Sequence, residues 1–311
     1  MPEVSVLMAV YDGMPYLPEA VESILGQTFE DWELVIVDDG STDASARYLD
    51  ALTDPRIHVI RQPNAGLAPA LNRGLAACRA SYTARMDADD ISHPTRLEKQ
   101  VAYLDAHAEV GLLGTQYVPM GEARTGHPST LAPDHDEIVR RLMKALHGIC
   151  HPTILCRTEL LNRIGGYWDQ GLGEEWDLYL RMAEVGRVAN LDEVLLTYRF
   201  HTSSLNGKRL ADLRAHIAYA CACARRRAAG DAPISFEQYA SSRRRPALSR
   251  LGWRIENHAL VHYRRAVCDQ LAGRSLRGTL RLGWAALCSP RLALPRVGRA
   301  LRRVLGGGGG A

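Results

Sequence analysis

Short apolar runs alternate with amphipathic stretches in the first part of the chain. The apolar runs lack the two-residue alternation of a half-exposed strand, which predicts strands buried on both faces. The segments between them repeat apolar residues every three or four positions, which predicts helices with one buried face. The predicted strands are 4–10, 33–37, 57–60 and 82–86, and the predicted helices are about 15–26, 44–52 and 67–75. This order predicts an α/β fold with a mostly parallel sheet and helices on both faces.

The pattern becomes less regular after residue 96 and changes character after residue 206. The next predicted elements are a helix at 97–106, a strand at 110–118, a loop at 119–133, a helix at 134–146, a short strand at 151–157, a helix at 175–185 and closing strands within 188–200. Arg-rich helical patterns follow at 208–229, 247–272, 275–288 and 292–305. We therefore predict a domain at 1–206, divided into halves 1–105 and 106–206, then a helical region at 207–305 and a disordered tail at 306–311.

Composition places the chain among globular proteins. It has 311 residues, of which 46% are hydrophobic and 23% are charged. Its seven cysteines are scattered without paired spacing, which favours reduced thiols in the cytoplasm and argues against a zinc site. The N-terminus lacks the basic start of a signal peptide, and no run of about 18 apolar residues predicts a membrane span.

The net charge of +3 conceals two regions of opposite sign. Residues 1–206 contain 17 Lys+Arg and 30 Asp+Glu, a net charge of −13, whereas residues 207–311 contain 21 and 5, a net charge of +16. Basic amphipathic helices containing Trp favour contact with an anionic membrane surface, and so a peripheral location at the inner face of the cell membrane. The alternative is an Arg-rich cap on the acidic domain. No nucleic-acid motif accompanies the charge, so we expect no nucleic-acid partner.

Polar residues cluster where the predicted strands end. Tyr11, Asp39 and the run Asp87-Ala88-Asp89-Asp90 each follow a strand. In parallel sheets ligands bind beyond the carboxyl ends of the strands. Three carboxylates within four residues repel one another unless a cation lies among them, and their hard oxygen atoms suit Mg²⁺ or Mn²⁺. This predicts a metal-held diphosphate; the alternative is an acidic helix start that faces the macrodipole.

A series of short motifs then follows in a fixed order. They are VSVLMAVYDG at 4–13, QTFEDWELVIVDDGSTD at 27–43, NAGLAPALNRG at 64–74, ARMDADD at 84–90, PTRLEKQ at 94–100, HPTILCR at 151–157, GGYWD at 165–169, GEEWDLYLR at 173–181 and YRFHTSS at 198–204. Together they cover residues 3–205 and resemble the family 2 glycosyltransferases, which have the GT-A fold.

This resemblance implies a donor site in the first half of the domain. The donor would be a nucleoside-diphosphate sugar, most often a uridine one. Tyr11 would lie against the base, Asp39 would accept a hydrogen bond from a base N–H group, and Asp87 would lie near the ribose and diphosphate. Asp89 would hold the divalent metal, Mn²⁺ or Mg²⁺. The remaining nucleotide-binding candidates are Ala9, Asn64 and Gly66.

The resemblance also implies an acceptor half at 106–206. Glu175 falls where the family carries its catalytic base, usually Asp, and Glu174 or Asp177 are the alternatives. Transfer to a hydroxyl acceptor would invert the anomeric carbon. His201 is a further candidate metal ligand, or else a solvated side chain. The acceptor-site candidates are His151, Trp168 and Trp176, with core packing as the alternative for both tryptophans.

We therefore expect a metal-dependent glycosyltransferase that works in surface polysaccharide or glycoconjugate synthesis. It would transfer the sugar to a hydroxyl acceptor such as a lipid-linked saccharide. Two other functions stay open at this point. One is a nucleotidyltransferase that makes nucleotide sugars, although the segment after the first strand, Tyr11 to Pro15, lacks the Gly-rich basic loop such an enzyme needs. The other is a catalytically silent nucleotide-sugar binding or scaffold protein.

Overall fold

The computed structural model describes residues 1–169, 171–200, 209–243 and 247–290. Its strands are β1 Val4–Val10, β2 Trp32–Asp38, β3 Ile57–Arg61, β4 Tyr82–Asp87, β5 Ile91–Ser92, β6 Val110–Met120, β7 Leu155–Arg157 and β8 Arg187–Arg199. Its helices are α1 Leu17–Leu25, α2 Ser45–Asp50, α3 Leu67–Leu75, α4 Arg96–Ala106, α5 His135–Leu142, α6 Thr158–Arg163, α7 Glu174–Val185, α8 Leu210–Ala229, α9 Phe236–Ser242, α10 Ala247–Leu271 and α11 Ser275–Cys288.

The described strands form one mixed sheet in the order β3-β2-β1-β4-β7-β6-β8-β5. The four strands β3, β2, β1 and β4 are parallel, as their unbroken apolar runs predict. Strands β7 and β6 continue the sheet in antiparallel pairs, and β5 pairs antiparallel with β8. The predicted α/β class with a mostly parallel sheet is confirmed.

The core forms where the central strands meet amphipathic helices. Strands β1 and β2 are buried along almost their whole length, because helices cover both faces of the sheet. Helix α1 buries Leu17, Ala20, Val21 and Ile24, which lie on one face. Helix α3 comes so close to the sheet that a Cβ atom on Gly74 would lie 2.3 Å from Leu7. Any larger residue at position 74 would therefore force the side chains of Leu7 and Val37 to move.

Arg96 joins the parallel and antiparallel parts of the sheet. Its Nη2 atom donates to the backbone carbonyls of Arg85 on β4 (2.9 Å) and Ile154, just before β7 (3.2 Å). Its Nε atom donates to Gln100, whose amide in turn donates to the carbonyls of Leu113 and Thr153. Burial lowers the pKa of Arg96 to about 10, so the side chain stays charged at neutral pH. This network fixes β4 beside the second half of the domain.

Several elements differ from the predictions. The predicted strand at 151–157 begins only at Leu155, because His151–Thr153 forms a 3₁₀ turn around Pro152, which has no N–H group to donate to a ladder. Strand β5 and helices α6 and α9 were not predicted. The predicted helix at 292–305 and the tail at 306–311 lie outside the described residues.

The chain divides into two compact units. Unit 1 contains residues 1–119, 127–199 and 216–233, and unit 2 contains residues 120–126, 200–215 and 234–311. In unit 2, α10 and α11 form a helical hairpin whose turn includes Gly273 at φ +76°. Among the described residues, no helix combines the length and the apolar character needed to cross a membrane. The boundary at residue 206 stays a prediction.

Replacing Arg96 with leucine should lower the free energy of unfolding by about 3 kcal/mol, because the buried carbonyl of Arg85 would lose this charged donor and that of Ile154 would keep only the backbone N–H of Arg85. The same change at Arg73, an exposed residue of α3, should alter it by less than about 0.5 kcal/mol. Urea unfolding followed by circular dichroism measures both. Equal stability of the Arg96→Leu variant and the unaltered chain would show that this side chain does not hold the strands together.

Candidate active site

The carboxyl ends of β1, β2 and β4 lie side by side. In the sheet register, Ala9 of β1 is opposite both Val37 of β2 and Asp87 of β4. The residues that follow these strands therefore meet at one edge of the sheet, where parallel sheets bind ligands. The half-buried Ala9, the exposed ring of Tyr11, the buried Asp39 and the acidic run after β4 all lie along this edge.

An acidic cluster lies at the end of β4. It consists of Asp87, Asp89 and Asp90, whose carboxylate oxygens come within 4.8 Å of one another. Asp90 is 1% exposed; its Oδ1 atom accepts from the backbone N–H of Arg199 (2.8 Å), while its Oδ2 atom has no hydrogen-bond partner among the described residues. Burial, and then the charges of Asp87 and Asp89, raise the pKa of Asp90 well above its usual value. The three carboxylates could hold a cation, which would relieve their mutual repulsion.

Asp90 and Arg199 are further parts of this acidic turn that the sequence prediction, which assigned a metal to Asp89, did not include. Arg199 holds the acidic turn from the end of β8, since its backbone N–H binds Asp90 and its Nε atom donates to the carbonyl of Asp89 (2.8 Å). The sequence signals were the third Asp of the 84–90 motif and the Arg of the 198–204 motif. His201, the other predicted metal ligand, lies outside the described residues.

A buried guanidinium lies behind the acidic cluster. Arg85, 1% exposed, forms a close ion pair with Asp87. Burial opposes the charge of Arg85, but Asp87, Tyr167 and Asp90 together outweigh burial and hold the pKa of Arg85 above its usual value. The Nε atom of Arg85 has no hydrogen-bond partner among the described residues. Burial raises the pKa of Asp87 despite this ion pair.

The second group of carboxylates lies in the first turn of α7. This helix starts after Gly173 (φ +79°), and Glu174, Glu175 and Asp177 occupy its first turn. Burial, and then the neighbouring charge of Glu174, raise the pKa of Glu175 to about 8. The charge of Arg85 acts in the opposite direction and favours the ionised form of both glutamates, as it does for Asp87. Glu175 is the side chain at this helix start with the pKa expected of a base that works near neutral pH.

Asp177, the alternative base, has other partners. Its carboxylate is buried and accepts a 2.5 Å hydrogen bond from Nε of Arg181. Arg181 also donates to the backbone carbonyls of Ile164 and Gly166. Through Arg181, Asp177 therefore fixes α7 against the preceding turn.

Asp39 holds the loop that precedes α3. Its Oδ1 atom accepts from the amide of Gln62 (2.6 Å) and the backbone N–H of Ala65 (2.9 Å), and its Oδ2 atom accepts from the backbone N–H of Gly66 (2.8 Å). Gly66 has φ +98°, which favours glycine. The exposed Asn64 lies in the same loop. The loop is therefore shaped by Asp39 before any ligand binds.

Comparison with known proteins identifies the family of this chain. The model of glycosyl transferase family 2 matches residues 5–165. The chain belongs to this family. The O-antigen biosynthesis glycosyltransferase WbnJ of Escherichia coli is 32% identical over 214 residues, which cover 67% of this chain and 84% of WbnJ.

Two solved structures share the fold of this glycosyltransferase. S. aureus TarS 1–349 in complex with UDP-GlcNAc superposes with a TM-score of 0.57 at 15% identity, covering 92% of this chain and 91% of that one. The mannosyltransferase PcManGT from Pyrobaculum calidifontis, in complex with GDP-Man and Mn²⁺, superposes with a TM-score of 0.54 at 21% identity. The match covers 97% of this chain and 80% of PcManGT. The predicted GT-A fold is confirmed.

The acceptor-side candidates of this glycosyltransferase differ in burial. Trp176 is 1% exposed and its indole N–H donates to the carbonyl of Leu142 (3.1 Å), so it is a core residue and not a platform for a sugar. Trp168 is half-buried, with its ring 4.9 Å from that of Tyr219. His151 is half-buried with Nε2 3.3 Å from the hydroxyl of Tyr167. Burial, then Arg85, lowers the pKa of His151 well below its usual value, so its ring is neutral at pH 7.

Replacing Asp39 with alanine should destabilise the protein by about 2 kcal/mol, because the backbone N–H groups of Ala65 and Gly66 would lose their acceptor. The Asp39→Asn variant keeps one acceptor oxygen and should lose less stability. Asp50→Ala, which removes an exposed partner of Arg61, should change stability by less than about 1 kcal/mol. Thermal unfolding compares the three variants. If the Asp39→Ala variant and the unaltered chain have the same melting temperature, the loop does not depend on this carboxylate.

Proposed function

We propose that this chain is a metal-dependent, inverting glycosyltransferase. It transfers a sugar from a nucleoside-diphosphate donor, UDP in the first instance, to a hydroxyl acceptor in the synthesis of a surface polysaccharide or glycoconjugate. The observation that carries the proposal is a pair of acidic groups that both interact electrostatically with Arg85: three carboxylates at the end of β4 that could hold a cation, and a glutamate of raised pKa at the start of α7. The name of WbnJ supports the polysaccharide context.

The residues at the end of β4 fit a divalent cation. Asp87, Asp89 and Asp90 offer hard oxygen atoms, and Oδ2 of Asp90 is buried without a hydrogen-bond partner among the described residues. We assign the cation to Asp89 with Asp90, while Asp87 faces the ribose and diphosphate. When bound, Mn²⁺ or Mg²⁺ would neutralise charge on the departing diphosphate. The Mn²⁺ and GDP-Man of PcManGT support this assignment; His201 stays a predicted further ligand.

The nucleotide would lie along the edge formed by β1 and β2. Tyr11 is 53% exposed, so its ring is free to lie against a base. Asp39 contributes by shaping the loop of Asn64 and Gly66, and a base N–H group can use a remaining lone pair of its carboxylate. Ala9 would form the floor beneath the nucleotide. The UDP-GlcNAc of TarS supports a uridine donor, and the GDP-Man of PcManGT supports the same donor class with another base.

Glu175 would act as the general base. It would take the proton of the acceptor hydroxyl while that oxygen attacks the anomeric carbon of the donor, and the bond from this carbon to the diphosphate oxygen would break. Attack from the face opposite the diphosphate inverts the anomeric configuration. Arg85 would keep Glu175 partly ionised, since its charge opposes the effect of burial. Glu174 would tune this pKa, and Asp177 would hold the helix through Arg181.

The acceptor would enter on the side of His151 and Trp168. Both are half-buried, so each can offer part of its ring to a saccharide. The neutral imidazole of His151 could exchange a hydrogen bond with an acceptor hydroxyl. We propose a lipid-linked saccharide as the acceptor, and a peripheral location at the inner face of the cell membrane. The net charge of +16 in residues 207–311 supports that location.

Replacing Asp89 with asparagine should reduce donor turnover by a factor on the order of 10²–10³, because charge on the leaving diphosphate would lose its counter-ion. Release of UDP from UDP-sugars, measured with and without Mn²⁺, tests this. Asp50→Asn, on the exposed surface, is the matched control. If metal-free protein turned over the donor at the full rate, the metal requirement would be disproved. If neither the unaltered protein nor any variant turned over the donor, the result would favour a catalytically silent binding protein.

Replacing Glu175 with glutamine should lower kcat/KM by a factor on the order of 10²–10⁴, since the acceptor hydroxyl would lose its base. Glu174→Gln is the matched control and should be milder. In the unaltered enzyme, kcat/KM should rise with pH up to about 8, because Glu175 must lose its proton to act. A Glu175→Gln enzyme with an unchanged rate and pH profile would show that another group is the base.

A further inference from the structure

Helix α11 has two opposite faces of different character. Gly278 and Ala285 are buried, and they mark the side on which α11 packs. The other side carries large apolar side chains, at positions that the helical period places in one line. These are Leu276 (77% exposed), Leu280 (67%), Trp284 (50%) and Leu287 (77%), which we call the α11 stripe.

Arginine side chains flank the α11 stripe. Asp269, a buried residue of α10, accepts from Nε of Arg274 (3.0 Å) and forms a close ion pair with Arg281. The Nε atom of Arg277 lies 3.8 Å from the same carboxylate. Three guanidinium groups thus share one carboxylate, which leaves a surplus of positive charge next to the stripe. The side chain of Arg277 is largely exposed.

The neighbouring helix α10 also carries exposed apolar side chains. Its Leu251 and Ile255, one turn apart, are also exposed. The indole N–H of Trp284 donates to Nε2 of His258 on α10 (3.2 Å), which fixes the tryptophan next to this helix. Residues 247–290 contain seven Arg and two acidic residues. The hairpin is therefore both apolar on its outer face and strongly basic.

We propose that the α11 stripe docks on the surface of an anionic lipid bilayer. Leucine side chains would enter the boundary between headgroups and acyl chains, Trp284 would lie at the headgroup level, and Arg277 would contact lipid phosphates. Charge distinguishes this partner from a second copy of the chain, because two such basic faces would repel each other. The leucines distinguish it from a nucleic acid, which would use the arginines and leave the apolar residues in water.

This inference rests on the proposed peripheral location and names the surface responsible for it. Apolar insertion and electrostatic attraction each give weak binding alone, whereas the two together give stable but reversible attachment. Docking would bring the chain to the bilayer that contains lipid-linked acceptors. Neither the donor site nor its catalytic residues take part in this contact.

Co-sedimentation of the full chain with lipid vesicles tests the proposal. The chain should bind vesicles of equimolar phosphatidylglycerol and phosphatidylcholine and should bind pure phosphatidylcholine vesicles far more weakly. Combining Leu280→Glu with Leu287→Glu should weaken binding by at least about ten-fold, since it removes two inserted side chains and adds repulsion. Arg277→Gln should weaken it by about five-fold. Leu146→Glu, an exposed leucine of unit 1, is the matched control and should have no effect.

Three results would overturn the proposal. The first is equal vesicle binding by the double variant and the unaltered chain. The second is a lower melting temperature of the double variant in solution, which would show that the leucines pack within the chain. The third is a dimer in light scattering that the double variant dissociates. Release of UDP is assayed separately without vesicles, so failure of docking and failure of the glycosyl-transfer proposal give different results.

Discussion

Repulsion among the carboxylates at the end of β4 constrains the whole site. Asp87, Asp89 and Asp90 lie so close together that they cannot all stay ionised unless positive charge lies among them. Arg85 supplies such charge from the buried side, through its ion pair with Asp87. A divalent cation on the other side would supply the rest and would carry the donor diphosphate with it. Binding of such a cation would relieve the repulsion among these carboxylates.

Arg85 also connects the two chemical tasks of this glycosyltransferase. Its charge acts on Asp87, which we assign to the donor, and on Glu175, which we assign to the acceptor. Hydrogen bonds connect the two halves of the domain at a second place. Asn72 of α3 exchanges two hydrogen bonds with the backbone of Tyr167, both 2.7 Å, so the donor half holds the segment that leads to α7. The residues that we assign to the metal and to the base are therefore held by one framework.

Residues close together in sequence made the donor half predictable. Unbroken apolar runs identified β1 to β4, and parallel pairing then required Tyr11, Asp39 and Asp87 to meet at one edge. Contacts across long sequence separations could not be predicted. The antiparallel pairing of β4 with β7, the burial of Trp176 under α5, and the tie between Asp39 and Gly66 depend on partners that no local pattern specifies.

The central claim is that the carboxylates at the end of β4 grip a divalent cation beneath the donor diphosphate. Anomalous diffraction from crystals grown with Mn²⁺ and UDP tests it most directly. The account predicts a manganese peak about 2.2 Å from a carboxylate oxygen of Asp89, in contact with the diphosphate. A well-ordered UDP whose diphosphate lies at this edge of the sheet without a manganese peak near Asp89 would contradict it.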